Sequence, residues 1–100
     1  MLFSSAVFAS SGSFVGQVVN GPNADAGKKW VFVQSQKGAT RKVEISSAKV
    51  VFNEDVPQKQ RTAKPEDAVK EGTQVRVTAT QDNDGEWKAS EIQILRGAEQ

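Results

Sequence analysis

The chain has 100 residues, of which 37% are hydrophobic and 25% charged, and its formal net charge is +1. This length and composition are typical of one ordinary globular domain. The chain contains no Cys and no His, which excludes disulfides and thiolate metal sites and removes the most common general base and zinc ligand. We therefore expect a small domain with no enzymatic activity, no cofactor and no metal.

The first 13 residues begin with a short apolar run, 2–9, followed by Ser10-Ser11-Gly12-Ser13. The run ends in Val-Phe-Ala, which satisfies the small-residue rule for signal-peptide cleavage, and a Ser/Gly stretch is typical of a flexible spacer. The run is far shorter than the roughly 20 apolar residues that span a bilayer, so no membrane span is expected. We interpret residues 1–13 as a signal-peptide remnant with a spacer, which predicts a secreted or periplasmic protein. An N-terminal strand or a fusion remnant would explain the same residues, and the protein would then be cytoplasmic.

From residue 14 onward the chain is a series of short predicted strands separated by turns. The strands are 14–19, 29–34 and 41–45, and 48–52 extends the third. Gly16 predicts a bend or bulge within the first strand. Residues 20–27 are rich in Gly, Pro, Asn and Asp and predict a loop, and Gln36-Lys37-Gly38 predicts a turn.

A long irregular connection, 53–64, leads into a predicted short helix. Pro65 suits the first helical position, and Glu66 and Asp67 favour the positive end of the helix. Gly72 suits its C-terminal cap. We expect one or two helical turns here.

The last third of the chain contains two alternating strands, 73–81 and 86–95, joined by Asp82-Asn83-Asp84-Gly85. The first strand alternates apolar and polar residues and predicts one buried face, formed by Val75, Val77 and Ala79. In the second strand Trp87 and Ala89 occupy odd positions, whereas Ile92 and Ile94 occupy even positions, so the two pairs would point to opposite faces of a regular strand. Because side chains alternate with a period of two, this change of phase predicts a β-bulge near Ser90-Glu91.

Five strands with a short helix between the third and fourth predict an all-β, five-stranded antiparallel barrel over residues 14–96. This is the plan of the oligonucleotide/oligosaccharide-binding (OB) fold, and residues 97–100 would form a C-terminal tail. The segment 64–95, with its Glu-Gly-Thr-Gln-Val-Arg-Val and Trp-Lys-Ala-Ser-Glu-Ile phrases, resembles the end of a family of small secreted bacterial OB-like barrel domains of unknown function. Val15-Gly16-Gln17-Val18-Val19 loosely matches the first strand of that family. Ala48-Lys49-Val50 matches an Ala-Thr-Lys-Val motif that follows the third strand of the family, but lacks the Thr. The resemblance implies an extracytoplasmic, non-enzymatic barrel and supplies no ligand residues.

Two acidic patterns are candidates for chemical sites. Asp82-Asn83-Asp84-Gly85-Glu86 has the Asp-x-Asp-Gly opening of a calcium loop, but the later ligand positions of such a loop are not filled. The same residues are explained by a hairpin turn. The pairs Glu54-Asp55 and Glu66-Asp67 lie in a loop and at a helix start, where acidic residues are common, and predict no catalysis.

The second strand carries the candidate ligand-binding residues. It is apolar on both faces, with Trp30 and Phe32 on one and Val31 and Val33 on the other, and only one face can point into a small barrel. If the valines fill the core, the aromatic residues lie outside. The candidate site is then Lys28, Lys29, Trp30, Phe32, Arg41 and Lys42. Aromatic and basic residues together are typical of surfaces that bind single-stranded nucleic acid. The alternative is that Trp30 and Phe32 belong to the core or are covered by the N-terminal segment.

The distribution of charge also favours a binding site in the first half of the chain. Residues 1–50 carry six basic and two acidic groups, whereas residues 51–100 carry seven basic and ten acidic groups. Most of these charges are expected to be solvated surface, although an excess of basic residues also favours an anionic partner. Two hypotheses follow. The first is a secreted or periplasmic interaction module that contacts an unknown protein or envelope partner. The second is a domain that binds single-stranded nucleic acid, and an oligosaccharide is a further ligand for an exposed aromatic pair.

Overall fold

Six β-strands form most of the regular structure in a computed structural model that describes residues 10–82 and 85–97. The strands are β1 Ser10–Asp25, β2 Lys28–Ser35, β3 Thr40–Glu44, β4 Lys49–Phe52, β5 Gln74–Gln81 and β6 Trp87–Arg96. Two short 3₁₀ helices, Gln58–Gln60 and Pro65–Ala68, lie between β4 and β5. No helix in the described part of the chain has the length and apolar character needed to cross a membrane.

Five of the strands close into a barrel in the order β1-β2-β3-β6-β5, and β5 pairs back onto β1. The pairs are antiparallel except β3–β6, which is parallel and consists of Val43↔Trp87 and Glu44↔Lys88. Strands that close into a ring of five cannot all alternate in direction, so at least one neighbouring pair must be parallel. The predicted OB-like barrel is therefore confirmed, with the correction that the sheet is mixed and not antiparallel throughout.

The barrel interior is filled by the inward-facing residues of every barrel strand. On β2 these are Val31 and Val33, each with 1% of its surface exposed. On β5 the predicted buried face is confirmed, because Val75, Val77 and Ala79 are all buried. The remaining buried apolar residues are Val18, Val43, Val56, Ala68, Val69, Ala89, Ile92 and Ile94.

The predicted bulge in the last strand is confirmed. Thr78 pairs with Glu91 and Ala79 pairs with Ala89, so Ser90 is the extra residue on β6. Ala89 and Ile92 are consequently both buried, although three positions separate them. A bulge increases local twist and bends a strand, which helps a short sheet to close into a barrel.

Strand β1 is longer than the sequence predicted at both ends. The expected spacer 10–13 is instead strand, paired with 78–81 of β5. The expected loop 20–27 is strand as far as Asp25, with register irregularities between Val18 and Asn20 and between Asn20 and Asn23. The register passes through Gly16 without a shift, because Gly16 pairs with both Ser35 and Val75. The residues of the two extensions, 10–13 and 20–25, form a strand because neighbouring strands supply partners for their backbone groups.

The predicted extension 48–52 is a separate strand, β4, that pairs in parallel with 91–94 of β6 outside the ring. The connection that follows it is held by Arg61, whose guanidinium donates to the backbone oxygens of Val56 and Asn53 at 3.1 and 3.3 Å. Charge-assisted hydrogen bonds of this kind replace the backbone ladder in an irregular segment.

The predicted helix at Pro65 is a single 3₁₀ turn that ends at Ala68, before Gly72. Gly72 has a φ of +95° and its N–H donates to Val18 O at 2.8 Å, so it joins the connection to β1 and does not cap a helix. Thr73 follows as a fully buried polar residue, and its Oγ1 donates to Ala68 O at 2.7 Å.

The substitution Thr73→Val should lower the free energy of unfolding by about 1–2 kcal/mol. Valine has nearly the same shape as threonine but leaves the buried Ala68 carbonyl without this donor. Urea denaturation of the two proteins measures the difference. The matched control is Thr78→Val, at an exposed position of β5, where we expect a change within about 0.5 kcal/mol. Equal effects at both positions would contradict a specific role for the Thr73 hydrogen bond.

Candidate functional site

Trp30 and Phe32 lie on the outer face of the barrel, because Val31 and Val33 occupy the inner face of the same strand. Their rings make an edge-to-face contact with centroids 5.1 Å apart and planes at 87°. Both side chains are half-buried. Trp30 and Phe32 therefore form an aromatic pair on the outer face of β2.

Lys42 lies beside this aromatic pair, since it is directly opposite Phe32 in the β2–β3 ladder. Its ammonium is 4.4 Å from the centroid of the Trp30 ring. A cation over the face of an indole is stabilised by the ring quadrupole. One face of Trp30 is thus covered by Lys42, and a ligand that stacks on that face must displace the ammonium.

The other basic candidate residues lie in three different places. Lys28 is paired with Asp25 at the end of the β1–β2 hairpin, on the same face as Trp30. Lys29 belongs to the opposite phase, and its backbone N–H donates to Ser46 Oγ at 2.8 Å. Arg41 is opposite Val33 in the ladder and so points towards the mouth of the barrel.

Arg41 stacks on the aromatic residues at that mouth. Its guanidinium carbon is 4.6 Å from the Phe14 ring centroid and 5.8 Å from that of Trp87. Phe14 and Trp87 contact each other edge to face at 6.1 Å, and both pack against the core. Arg41 therefore covers one end of the hydrophobic interior.

A groove of about 540 Å³ joins these features, with a volume in the range common for ligand sites. Part of its lining comes from β2 and β3 and includes Trp30 and Lys42, and another part comes from the start of β6 and includes Trp87. The full lining is Asp25, Ala26, Lys28, Trp30, Thr40, Arg41, Lys42, Glu44, Gly85, Glu86 and Trp87. Of the candidate residues, Lys28, Trp30, Arg41 and Lys42 line the groove, Phe32 contacts Trp30, and Lys29 lines a second depression beside Ile45.

The groove contains equal numbers of positive and negative side chains. Lys28, Arg41 and Lys42 are balanced by Asp25, Glu44 and Glu86. Glu44 is directly opposite Trp30 in the ladder, and its Oε1 is buried with no hydrogen-bond partner among the described residues. An anionic ligand would meet this carboxylate as well as the lysines.

Lys88, next to the groove on β6, is paired with Asp82 at 2.7 Å. The hydrogen bond that the Lys88 ammonium donates to Asp82 and the attraction of the Asp82 charge raise the pKa of Lys88, and the charges of Glu44 and Glu86 add to the increase. The contact with Asp82 directs the ammonium to the β5–β6 hairpin.

The β5–β6 hairpin beside the groove closes as a turn. Asp82 N–H donates to Glu86 O at 2.8 Å, Gly85 N–H donates to Asp82 O at 2.9 Å, and Gly85 has a φ of +87°. Asn83 and Asp84, which belong to the predicted turn, lie outside the described residues. Within the described ranges, no group of three or more acidic residues is arranged to hold a metal ion.

Sequence reasoning did not find the acidic residues of the groove or the part that Trp87 plays in it. Trp87 packs against the core, and its ring also lines the groove. The signal that identifies Glu44 as a groove residue is the β2–β3 register, which places it opposite Trp30. Comparison with known proteins finds no matching family model and no matching curated protein.

Proposed function

We propose that this chain is a non-enzymatic binding module, secreted or periplasmic, whose partner contacts the groove and the aromatic pair Trp30–Phe32. The observation that carries the proposal is the placement of two large aromatic side chains outside a barrel whose core is already filled by Val31 and Val33. Aromatic residues on a protein surface are enriched where other molecules bind.

The chemistry of the groove favours a protein segment as the partner. Trp and Arg are the residues that contribute most to protein–protein binding, and the groove contains Trp30, Trp87 and Arg41. Its three positive and three negative side chains suit a partner of mixed charge. A segment of a few residues in extended conformation fits a groove of about 540 Å³.

An extracytoplasmic location is supported by the apolar run 2–9 and its Val-Phe-Ala ending. Cleavage after Ala9 would leave all of β1, which begins at Ser10. Mass spectrometry of the protein recovered from culture medium and periplasm of an expressing bacterium tests this part. A protein retained in the cytoplasm with residues 1–9 intact would contradict it.

Selection from a display library of random peptides tests the binding function. We expect selected peptides to bind the purified protein and to lose affinity by about thirtyfold or more in Trp30→Ala, because truncating a central aromatic anchor typically costs 2 kcal/mol or more. Fluorescence is a suitable readout because Trp30 and Trp87 both line the groove.

The matched control is Val15→Ala, which removes an exposed apolar side chain from the outer face of β1 outside the groove. Affinity should then change by less than about twofold. If no peptide is selected, or if the selected peptides bind Trp30→Ala and the parent protein equally well, the proposed function is wrong. Equal melting temperatures would show that the variants are folded.

A second candidate is single-stranded nucleic acid binding, which is favoured by Lys28 and Lys42 on the same outer face as Trp30 and Phe32. Bases stack on aromatic residues with about 1–3 kcal/mol each, and lysines contact phosphates. Two features oppose it: Lys42 covers a face of Trp30, and the groove has no net positive charge.

Titration with an oligothymidylate at low and high salt separates the two candidates. Quenching of Trp fluorescence that weakens steeply with salt would support nucleic acid binding, because binding to phosphates releases counterions. We expect no saturable quenching. The same titration with a set of neutral oligosaccharides tests the remaining class of ligand.

A further inference from the structure

The first part of β1 is an edge strand. Residues 10–15 pair with β5 on one side, while β2 extends only as far as the pair Gly16↔Ser35 before it turns towards β3. No strand in the described part of the chain pairs with the other side of residues 10–15. We refer to this side of residues 10–15 as the open edge.

Hydrogen bonds elsewhere in the sheet determine which backbone groups face the open edge. Ser35 N–H donates to Ala39 O and Ile45 N–H donates to Lys29 O, each at 2.8 Å, so the odd-numbered residues of β2 bond to β3. Alternate residues of an antiparallel strand bond to opposite neighbours, so Gln34 of β2 bonds to Gln17 of β1. The odd-numbered residues of this part of β1 therefore point their backbone groups to the β2 side.

An independent contact gives the same result. Val18 N–H donates to Thr73 O at 2.9 Å and Val18 O accepts from Gly72 N–H at 2.8 Å, so this even-numbered residue bonds on the β5 side. Because the pairing of β1 with β2 ends at Gly16↔Ser35, the N–H and C=O groups of Ser11 and Ser13 have no described strand beside them and are directed to the open edge. These two alternate residues present the donors and acceptors of an incomplete antiparallel ladder.

The open edge carries none of the features that usually prevent edge-to-edge pairing. Residues 10–15 read Ser-Ser-Gly-Ser-Phe-Val and contain no charged residue and no proline, and the register with β5 is regular throughout. Ser11, Gly12 and Ser13 are exposed and small, so another backbone can approach closely. Val15 adds an exposed apolar side chain.

We propose that two copies of this chain associate through the open edge, with the two β1 strands antiparallel across a two-fold axis near Ser13. Such an axis sets Ser13 of one copy opposite Ser13 of the other, so the backbone groups that face the open edge on one copy meet those on the other. No like charges meet within residues 10–15, and a net charge of +1 per chain gives little overall repulsion. The pairing joins two barrels into one continuous sheet.

Sedimentation equilibrium of the whole protein over a wide concentration range tests the association. The mean mass should rise with concentration from that of one chain towards that of two. Ser13→Lys should weaken the association by about tenfold or more, because it sets two like charges opposite each other at the axis. Gln74→Lys adds the same charge to an exposed position of β5 that is paired on both sides, and should leave the association unchanged.

Disulfide cross-linking provides a second measurement, and the absence of cysteine from the chain keeps it free of background. In an antiparallel pair centred near Ser13, the two copies of residue 13 lie within the range of Cα separations that a disulfide can bridge. Ser13→Cys should form covalent dimers under mild oxidation about tenfold faster than Gln74→Cys. A protein of single-chain mass at all concentrations would overturn the proposal, as would association unaffected by Ser13→Lys or equal cross-linking at both positions.

Discussion

Gly16→Ala should lower the free energy of unfolding by about 2–3 kcal/mol, because the added methyl group would overlap with the neighbouring strand. A Cβ at this position would lie 2.5 Å from Gln34 O and 2.8 Å from Val33 Cγ1. The oxygen belongs to the backbone, so relief requires the two strands to separate. Urea denaturation followed by Trp fluorescence measures the change.

Gly12→Ala is the matched control on the same strand. A Cβ at Gly12 would have no heavy atom within 4 Å. We expect its effect to stay within about 0.5 kcal/mol, since the substitution mainly restricts the unfolded chain. If the two alanines had the same effect, the close approach of β1 and β2 at Gly16 would not limit stability.

Ile92→Ala should lower the free energy of unfolding by about 3–4 kcal/mol, as expected for a truncated core side chain that leaves a cavity. Ile92 is 1% exposed and lies between Val77 of β5 and Val50 of β4, so it connects the ring to the added strand. The same denaturation measurement applies.

Ile45→Ala is the comparison for Ile92→Ala. Ile45 is only partly buried at the edge of the core, so its truncation leaves less of a cavity and should have about half the effect or less. A larger loss at Ile45 than at Ile92 would contradict the description of the core given above.

The alternation of apolar residues was sufficient to predict the parts of the fold that depend on burial. Val75, Val77 and Ala79 face the core as expected. The bulge at Ser90 followed from the phase change between Ala89 and Ile92, because a strand can bury both residues only by inserting one extra residue.

The features that depend on backbone pairing were not predictable in the same way. Residues 10–13 and 20–25 have the composition of loops, and they form strand because β5 and β2 lie beside them. The parallel pairs of β6 with β3 and β4 are long-range contacts to which local sequence gives no signal. Tertiary pairing outweighs local preference in such segments.

The candidate site was predictable only in part for the same reason. The two apolar faces of β2 indicated that one of the pairs Trp30–Phe32 and Val31–Val33 must lie outside. Which cations accompany Trp30 depends on the β2–β3 register, which brings Lys42 to the ring and turns Arg41 to the barrel mouth. The balancing carboxylates come from three separate parts of the chain, so charge counted along the sequence did not reveal them.

The alternation along β2 also has an evolutionary consequence. Its odd positions, Val31 and Val33, are fixed by the packing of the interior, whereas its even positions, Trp30 and Phe32, face outward. Arg41 covers the barrel mouth by stacking on Phe14 and Trp87. Descendants of this chain can therefore exchange the outer residues while the inner residues keep the barrel folded.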